Sequence, residues 1–285
     1  MAETRKPHRP SRLGLALARI PPVRWLYPLY AARQLRLVEQ TLAFSALPDG
    51  LDGLRIAYAS DIHYGAYMDE ARIRDLAERL NALNADILLL GGDYGEYSDQ
   101  ALEYWRKTPS FHARLAVFGV LGNHDRIAAG ARVLGAAMAR KGVTPLVNSA
   151  CMITRNHARL CLCATDDWDH GRPDFVRVAR LAQGADFTIF APHSPDALQE
   201  AYAAADPPFF QLALCGHTHG GQVAVLGIAP IPASRLGWRY GNKYRTGILR
   251  EKGVTVLISN GVGTSWLPIR LGAPAQFHLI TLKKA

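Results

Sequence analysis

Seven residues of this 285-residue chain pair cation-binding side chains with positions just after apolar runs: Asp61, His63, Asp93, Asn123, His193, His217 and His219. Two carboxylates, one amide and four imidazoles form a mixed oxygen and nitrogen set without a thiolate. Such a set suits Mn, Fe, Zn or Co better than a structural zinc. Seven donors are too many for one ion, whereas two divalent metal ions sharing one carboxylate would use them well. Two ions about 3.5–4 Å apart can activate a water and clamp a phosphoryl group for in-line attack. The expected nucleophile is then a metal-bound water, and no activated Ser or Cys is needed. Asp61-x-His63 or Gly92-Asp93 alone says little. Gly122-Asn123-His124-Asp125 says more, and the run from Gly216 to Gln222 (GHTHGGQ) more again, because its glycines allow close backbone approach. A lone His is usually a hydrogen-bonded core or surface residue, but that reading does not account for seven candidate donors, four of them His, at strand ends.

The elements that must position them follow from periodicity. Residues 54–60 read as a strand, 69–83 as a helix with Ile73, Leu76, Ala77 and Leu80 on one face, and 87–90 as a buried strand. Ser98 is a suitable N-cap for a helix to Lys107. Residues 115–121 form a third strand and 130–141 a helix. His63, Asp93 and Asn123 are 30 residues apart in turn, about one βα unit each, so their loops emerge at one edge of a parallel sheet. Strands near 144–147, 152–154, 160–165, 187–191, 210–215, 254–259 and 276–282, with helices at 173–182 and 195–204, complete the pattern. The loop from Ala229 to Lys252 is long for a compact domain, and long loops are often functional.

In these motifs and their order the chain resembles the calcineurin-like metallophosphoesterase superfamily, from about Leu51 to Leu282. The resemblance implies an α/β fold, a four-layer αββα sandwich, with a dinuclear metal centre. It places Asp61, His63 and His219 on the first metal, Asn123, His193 and His217 on the second, and Asp93 between them. It makes His124 the catalytic histidine and Asp125 the residue that orients it. An imidazole beside the site is also the natural acid near neutral pH. The segments Ala191–Asp196, GHTHGGQ, and Asn260–Ser265 through Pro268-Ile269-Arg270 look like the YkuE/YaeI-like bacterial branch, whose members often carry a membrane anchor or export signal. The chain departs from that branch around Gly95-Glu96 and at Ala275-Gln276, neither of which is a metal ligand.

Other features are less directed. The net charge of +9 is concentrated: residues 1–36 hold eight Lys or Arg against one acid, Glu3. This arm, taken as residues 1–50 ahead of a phosphoesterase domain at 51–285, also carries Trp25, Tyr27, Tyr30 and several Leu. No stretch of it spans a bilayer, because Arg19, Pro21, Pro22, Arg24 and Pro28 interrupt it. It fits a segment on an anionic membrane surface, with a tail plus a packing helix as the alternative and an atypical export signal as a third reading. Arg235, Arg239, Lys243 and Arg245, with Trp238, Tyr240 and Tyr244, are candidate substrate-binding residues; a solvated loop is the bland alternative. Asp166, Asp167 and Asp169 read as a solvated turn rather than a further cation site. The four Cys contain no CxxC pair and read as small buried thiols.

The expected function is hydrolysis of phosphate esters or pyrophosphates, on a phosphorylated small molecule or a lipid-linked substrate such as a UDP-diacylglucosamine. A soluble phosphodiester or nucleotide is the runner-up, and a non-catalytic metal-dependent binding module the reading from another class. Nucleic acid is disfavoured because the chain beyond the arm is nearly neutral. The expected location is cytoplasmic, peripheral on the inner membrane face if the arm binds lipid.

Overall fold

The computed structural model describes residues 35–65, 67–128, 130–229, 241–265 and 269–285. In chain order its elements are β1 (Arg36–Phe44), β2 (Arg55–Ala59), α1 (Glu70–Ala82), β3 (Ile87–Leu90), α2 (Ser98–Lys107), β4 (Ala116–Gly119), α3 (Asn123–Ala128), α4 (Ala131–Ala139), β5 (Thr144–Pro145), β6 (Ser149–Arg155), β7 (Ala158–Ala164), α5 (Phe175–Leu181), β8 (Phe187–Phe190), α6 (Leu198–Ala203), β9 (Leu212–Cys215), β10 (Gly247–Glu251), β11 (Val254–Ile258) and β12 (Gln276–Lys284).

Strand alternation generates the layers. In β2, Ile56 and Tyr58 point to one side, and Ala57 and Ala59 to the other. Both faces are apolar, so both must be covered. Ile56, Tyr58, Leu89 and Phe118 meet Leu160, Leu162, Ile189, Leu212, Leu214 and Leu257 in a core between two sheets. Ala57, Leu88, Leu90 and Val117 pack under Ile73, Leu76 and Leu80 of α1, Tyr104 and Trp105 of α2, and Leu134 and Met138 of α4. On the far side Cys161, Cys163, Phe190, Ala213 and Val256 pack under Val178 of α5 and Leu198 and Ala201 of α6. Three cores between four layers make the αββα sandwich. Truncating a buried Leu in such a core to Ala costs about 2–5 kcal/mol.

The first sheet has the order β1-β12-β2-β3-β4-β5 and the second β10-β11-β9-β8-β7-β6. β2 through β5 run parallel, as do β7, β8, β9 and β11; β12, β6 and β10 meet their inner neighbours antiparallel.

Several elements differ from the sequence reading. The first sheet begins inside the segment read as the arm: β1 pairs parallel with β12 from Arg36↔Gln276 to Phe44↔Lys284. The long loop after Ala229 contains β10, which pairs antiparallel with β11. Helix α2 is capped by Tyr97 rather than Ser98, and the Gln100 side chain accepts the Tyr97 N–H at 3.1 Å. The Gly-Asn-His-Asp run opens a short helix of its own, α3. Cys161, Cys163 and Cys215 are buried and Cys151 is half-buried, all as free thiols.

Candidate metal centre

Each candidate ligand stands just past a strand end. Asp61 and His63 follow β2, Asp93 follows β3, Asn123 opens α3 after β4, His193 follows β8, and His217 and His219 follow β9. The strands before them are parallel within each sheet, so their carboxyl ends share one edge, where α/β folds bind ligands. Asp61, His63, Asp93, His217 and His219 all have positive φ, at 54, 49, 56, 68 and 51°. That backbone costs a non-glycine residue about 1–2 kcal/mol. Strain of this kind persists only where the surrounding structure enforces it, and five of these seven residues sharing it is consistent with a functional site. The glycines flanking the candidate ligands are spatially required. A Cβ at Gly122 would overlap the Asp93 carboxylate, and one at Gly216 the Asp61 carboxylate.

The side chains converge in two overlapping sets. Donor atoms of Asp61, His63 and His219 lie within 4.8 Å of one another, as do those of Asp93, His193 and His217. His63, Asp93 and His124 form a third set across the middle. Asp93 Oδ2 lies 3.6 Å from His63 Nε2 and 3.2 Å from His193 Nε2, so one oxygen faces a member of each outer set. Asn123 Oδ1 is 2.9 Å from His217 Nδ1. The His63 and His219 rings are 4.8 Å apart, and His193 and His217 5.3 Å. Asp61, His63, Asp93, His193 and His219 are buried. Asn123, His124 and His217 are half-buried and mark the side open to solvent.

The residues fit divalent cations. Asp61 Oδ2 is buried without a hydrogen-bond partner, and the buried Nε2 of His63 lies 3.6 Å from Asp93 Oδ2, too far for a hydrogen bond. Orphaned buried polar atoms are rare in folded proteins, and a bound ion is one of the ordinary explanations. Burial opposes charge on His63, but Glu96, Asp93 and Asp61 outweigh it and raise its pKa to about 8. His193 is likewise raised against its burial, chiefly by Asp93. Burial works against the Asp93 carboxylate too, yet His193, His124 and His63 hold its pKa well below the usual range. These carboxylates attract positive charge into a buried pocket, which a metal ion supplies better than protons do. His217 and His219 are lowered by burial and by neighbouring cations, which favours the neutral imidazole that ligates metal.

The surroundings hold this set rigidly. His193 Nδ1 is 2.7 Å from the Gly91 carbonyl, and the His217 N–H donates to Asp61 Oδ1 at 2.9 Å. Buried Arg270 donates to the carbonyls of Gly263, Asn260 and Ala273, and its Nη2 is 3.2 Å from His219 Nδ1. Gln222 and Ser265 exchange two hydrogen bonds of 2.9 Å.

Asp125 takes a different place from the one expected of it. Its Oδ2 accepts from the N–H groups of Asp93 at 2.7 Å and Gly122 at 2.9 Å, and its Oδ1 from Tyr94 at 3.0 Å. Both oxygens therefore clamp the β3 and β4 loops together. The His124 ring is held instead by the Glu96 carbonyl, 2.9 Å from Nδ1, while the His124 N–H donates to Asp93 Oδ1 at 3.0 Å. Burial and the Asp93 charge raise the Asp125 pKa to about 7, against the pull of those N–H groups.

The basic loop candidates split. Arg235 and Arg239 lie outside the described residues. Lys243 pairs with Glu251 at 2.8 Å, and Arg245 donates to the Gly220 carbonyl at 2.6 Å, so each is engaged in holding the loop. The acidic turn is a turn, solvated at the exposed Asp169 but not at the other two acids. Asp166 and Asp167 are buried; Asp166 pairs with Arg126 at 3.1 Å, and Asp167 Oδ1 accepts from Asp169 and His170. Glu96, Gln222, Asn260 and Arg270 stand in motif segments visible in the sequence, but their roles as supports become apparent only once the loops meet.

Fold and site together define a metal-dependent phosphoesterase of the sandwich type. The chain belongs to the calcineurin-like phosphoesterase family, whose model matches residues 54–221. It is 28% identical over 249 residues to the uncharacterized metallophosphoesterase YkuE of Bacillus subtilis (strain 168), covering 86% of this chain and 84% of that one. It is 30% identical over 196 residues to phosphodiesterase YaeI of Escherichia coli (strain K12), covering 66% and 68%. It is 26% identical over 271 residues to the "transmembrane protein with metallophosphoesterase domain" of Danio rerio, where it covers 90% of this chain but spans only 59% of the relative.

Proposed function

We propose that this chain hydrolyses phosphodiesters at a centre of two divalent ions. The observation that carries the reading is Asp93 Oδ2, placed between His63 Nε2 at 3.6 Å and His193 Nε2 at 3.2 Å. Asp61, His63 and His219 would hold one ion, Asn123, His193 and His217 the other, and Asp93 both. Bound ions supply Lewis acidity, which acidifies a water nucleophile and offsets charge on the phosphoryl oxygens.

The remaining work falls to the protein's own groups. Water oxygen bonds to phosphorus as the bond to the leaving alkoxide breaks, and the alkoxide needs a proton. His124 is half-exposed beside Asp93, and its Nδ1 is occupied by the Glu96 carbonyl. Nε2 is thus the nitrogen that delivers the proton to the leaving oxygen. Asp125 keeps the two loops in register while this happens. The name of the relative YaeI supports the diester class. The finer reading is a lipid-linked substrate met at the cytoplasmic membrane face; it rests on the basic, aromatic arm. Mn, Fe, Zn and Co all suit the oxygen-and-imidazole donor set.

The test is a count of ions. Protein stripped with chelator and reloaded with Mn²⁺ should hold two ions per chain and cleave a generic diester such as bis-p-nitrophenyl phosphate. Asp93→Ala should lose more metal than any other single ligand substitution. One ion per chain in a fully active protein would refute the two-ion centre.

A further inference from the structure

One acidic residue touches two neighbouring imidazoles beside Asp93, those of His63 and His124. The pairing of β2 and β3 continues past the strand ends: Tyr64 N–H donates to the Tyr94 carbonyl at 2.9 Å, and Tyr64 bridges Gly95. This brings Glu96, three residues beyond Asp93, alongside His63. Glu96 Oε2 lies 2.6 Å from His63 Nδ1, with the two side chains 12% and 0% exposed. Glu96 Oε1 accepts from Ser265 Oγ at 3.2 Å, and Ser265 is doubly bonded to Gln222 of the GHTHGGQ run. The main-chain carbonyl of the same Glu96 meets His124 Nδ1.

These contacts have a chemical consequence. A carboxylate at Nδ1 keeps a proton there and leaves the Nε2 lone pair of His63 facing Asp93. It also fixes the ring plane and strengthens the ring as a donor, as carboxylates behind metal-binding histidines do. We infer that Glu96 is a positioning residue for both imidazoles, setting His63 through its side chain and His124 through its backbone. The inference rests on the metal-centre reading and extends it to a residue outside the ligand set. Because the two contacts use different atoms, substitution separates them. Removing the side chain frees His63 but leaves the carbonyl on His124.

The experiment is calorimetric titration of chelator-stripped protein with Mn²⁺, with melting of the metal-free forms as the folding control. Glu96→Ala should weaken Mn²⁺ binding about 10–100-fold. At saturating Mn²⁺, kcat for bis-p-nitrophenyl phosphate should fall by a smaller factor than the Mn²⁺ affinity does, because the His124 contact persists. Glu96→Gln, whose amide oxygen accepts from the same Nδ1–H, should restore most of the affinity. Ser265→Ala releases only the other carboxylate oxygen and should give a several-fold loss in the same direction, which keeps the test open if the alanine variant fails to fold. Unchanged Mn²⁺ affinity in Glu96→Ala, or a glutamine variant no better than alanine, would overturn the inference alone. Wild-type protein that takes up no Mn²⁺ would remove the metal-centre reading and this inference with it.

Discussion

His124 and Asp125 are neighbours in sequence with separate tasks. The Asp125 carboxylate is committed to three backbone N–H groups, so it acts on loop position. The His124 backbone N–H donates to Asp93 Oδ1, and its half-buried ring packs edge-on against His63, 4.9 Å away, with Nδ1 on the Glu96 carbonyl. His124→Ala keeps the backbone contact and should therefore keep the metal. Turnover should fall by roughly 10²–10⁴-fold for a diester with a poor leaving group, the usual contribution of a general acid. The loss should shrink as the leaving group improves, since a stabilised alkoxide needs less protonation. A leaving-group series measured on both proteins checks this; parallel slopes would mean that His124 does not protonate the leaving oxygen.

At the scale of elements, β12 carries a proton-sensitive residue into the first sheet. His278 pairs with Tyr58 in register, is buried, and has its Nε2 3.0 Å from Ser259 Oγ. Its Nδ1 has no hydrogen-bond partner. Burial lowers its pKa to about 4, against about 6.5 in the unfolded chain. Between those values the unfolded state binds a proton that the folded state refuses. Stability is therefore whole above about pH 6.5 and falls as pH drops toward 4, by up to about 3 kcal/mol from this group. Urea unfolding of wild type and His278→Gln across that window should give curves that converge toward low pH. A constant difference between them would show that His278 does not titrate this way.

For the whole molecule, the question is where the arm ends. The residue-level charge pattern runs to Arg36, but Arg36 is the first residue of β1, and its N–H donates to the Ala275 carbonyl at 2.9 Å. A clean truncation therefore removes residues 1–34 and leaves the sheet edge intact. Among the described residues no helix is long and apolar enough to cross a membrane. If the arm lies on lipid, each Lys or Arg near an anionic surface contributes about 1 kcal/mol, partly screened by salt. Truncated protein should lose sedimentation with anionic vesicles while hydrolysing bis-p-nitrophenyl phosphate at the wild-type rate. Intact protein that ignores such vesicles at low salt would leave the arm as a tail or a packing helix.

The sequence by itself determined what is local along the chain. Strand periodicity ends where polar residues begin, and equal spacing of those ends places them at one sheet edge, so all seven candidate ligands could be named from the letters. The αββα layering was implied by the family resemblance those motifs carry, and the packing of both sheet faces shows its physical basis: strands apolar on both faces require cover on both. Tertiary structure decided what depends on distant partners. β1 exists because β12, some 240 residues later in the chain, offers it an edge, and β10 because β11 does. Asp125 could be read as the His124 orienter until folding brought the N–H groups of Asp93 and Tyr94 against it. Glu96 meets Ser265 across 169 residues, and Arg270 meets His219 across 51. Candidacy as a ligand is a property of residue type at a strand end, whereas the support behind each candidate is a property of which loops the packed sheets bring together.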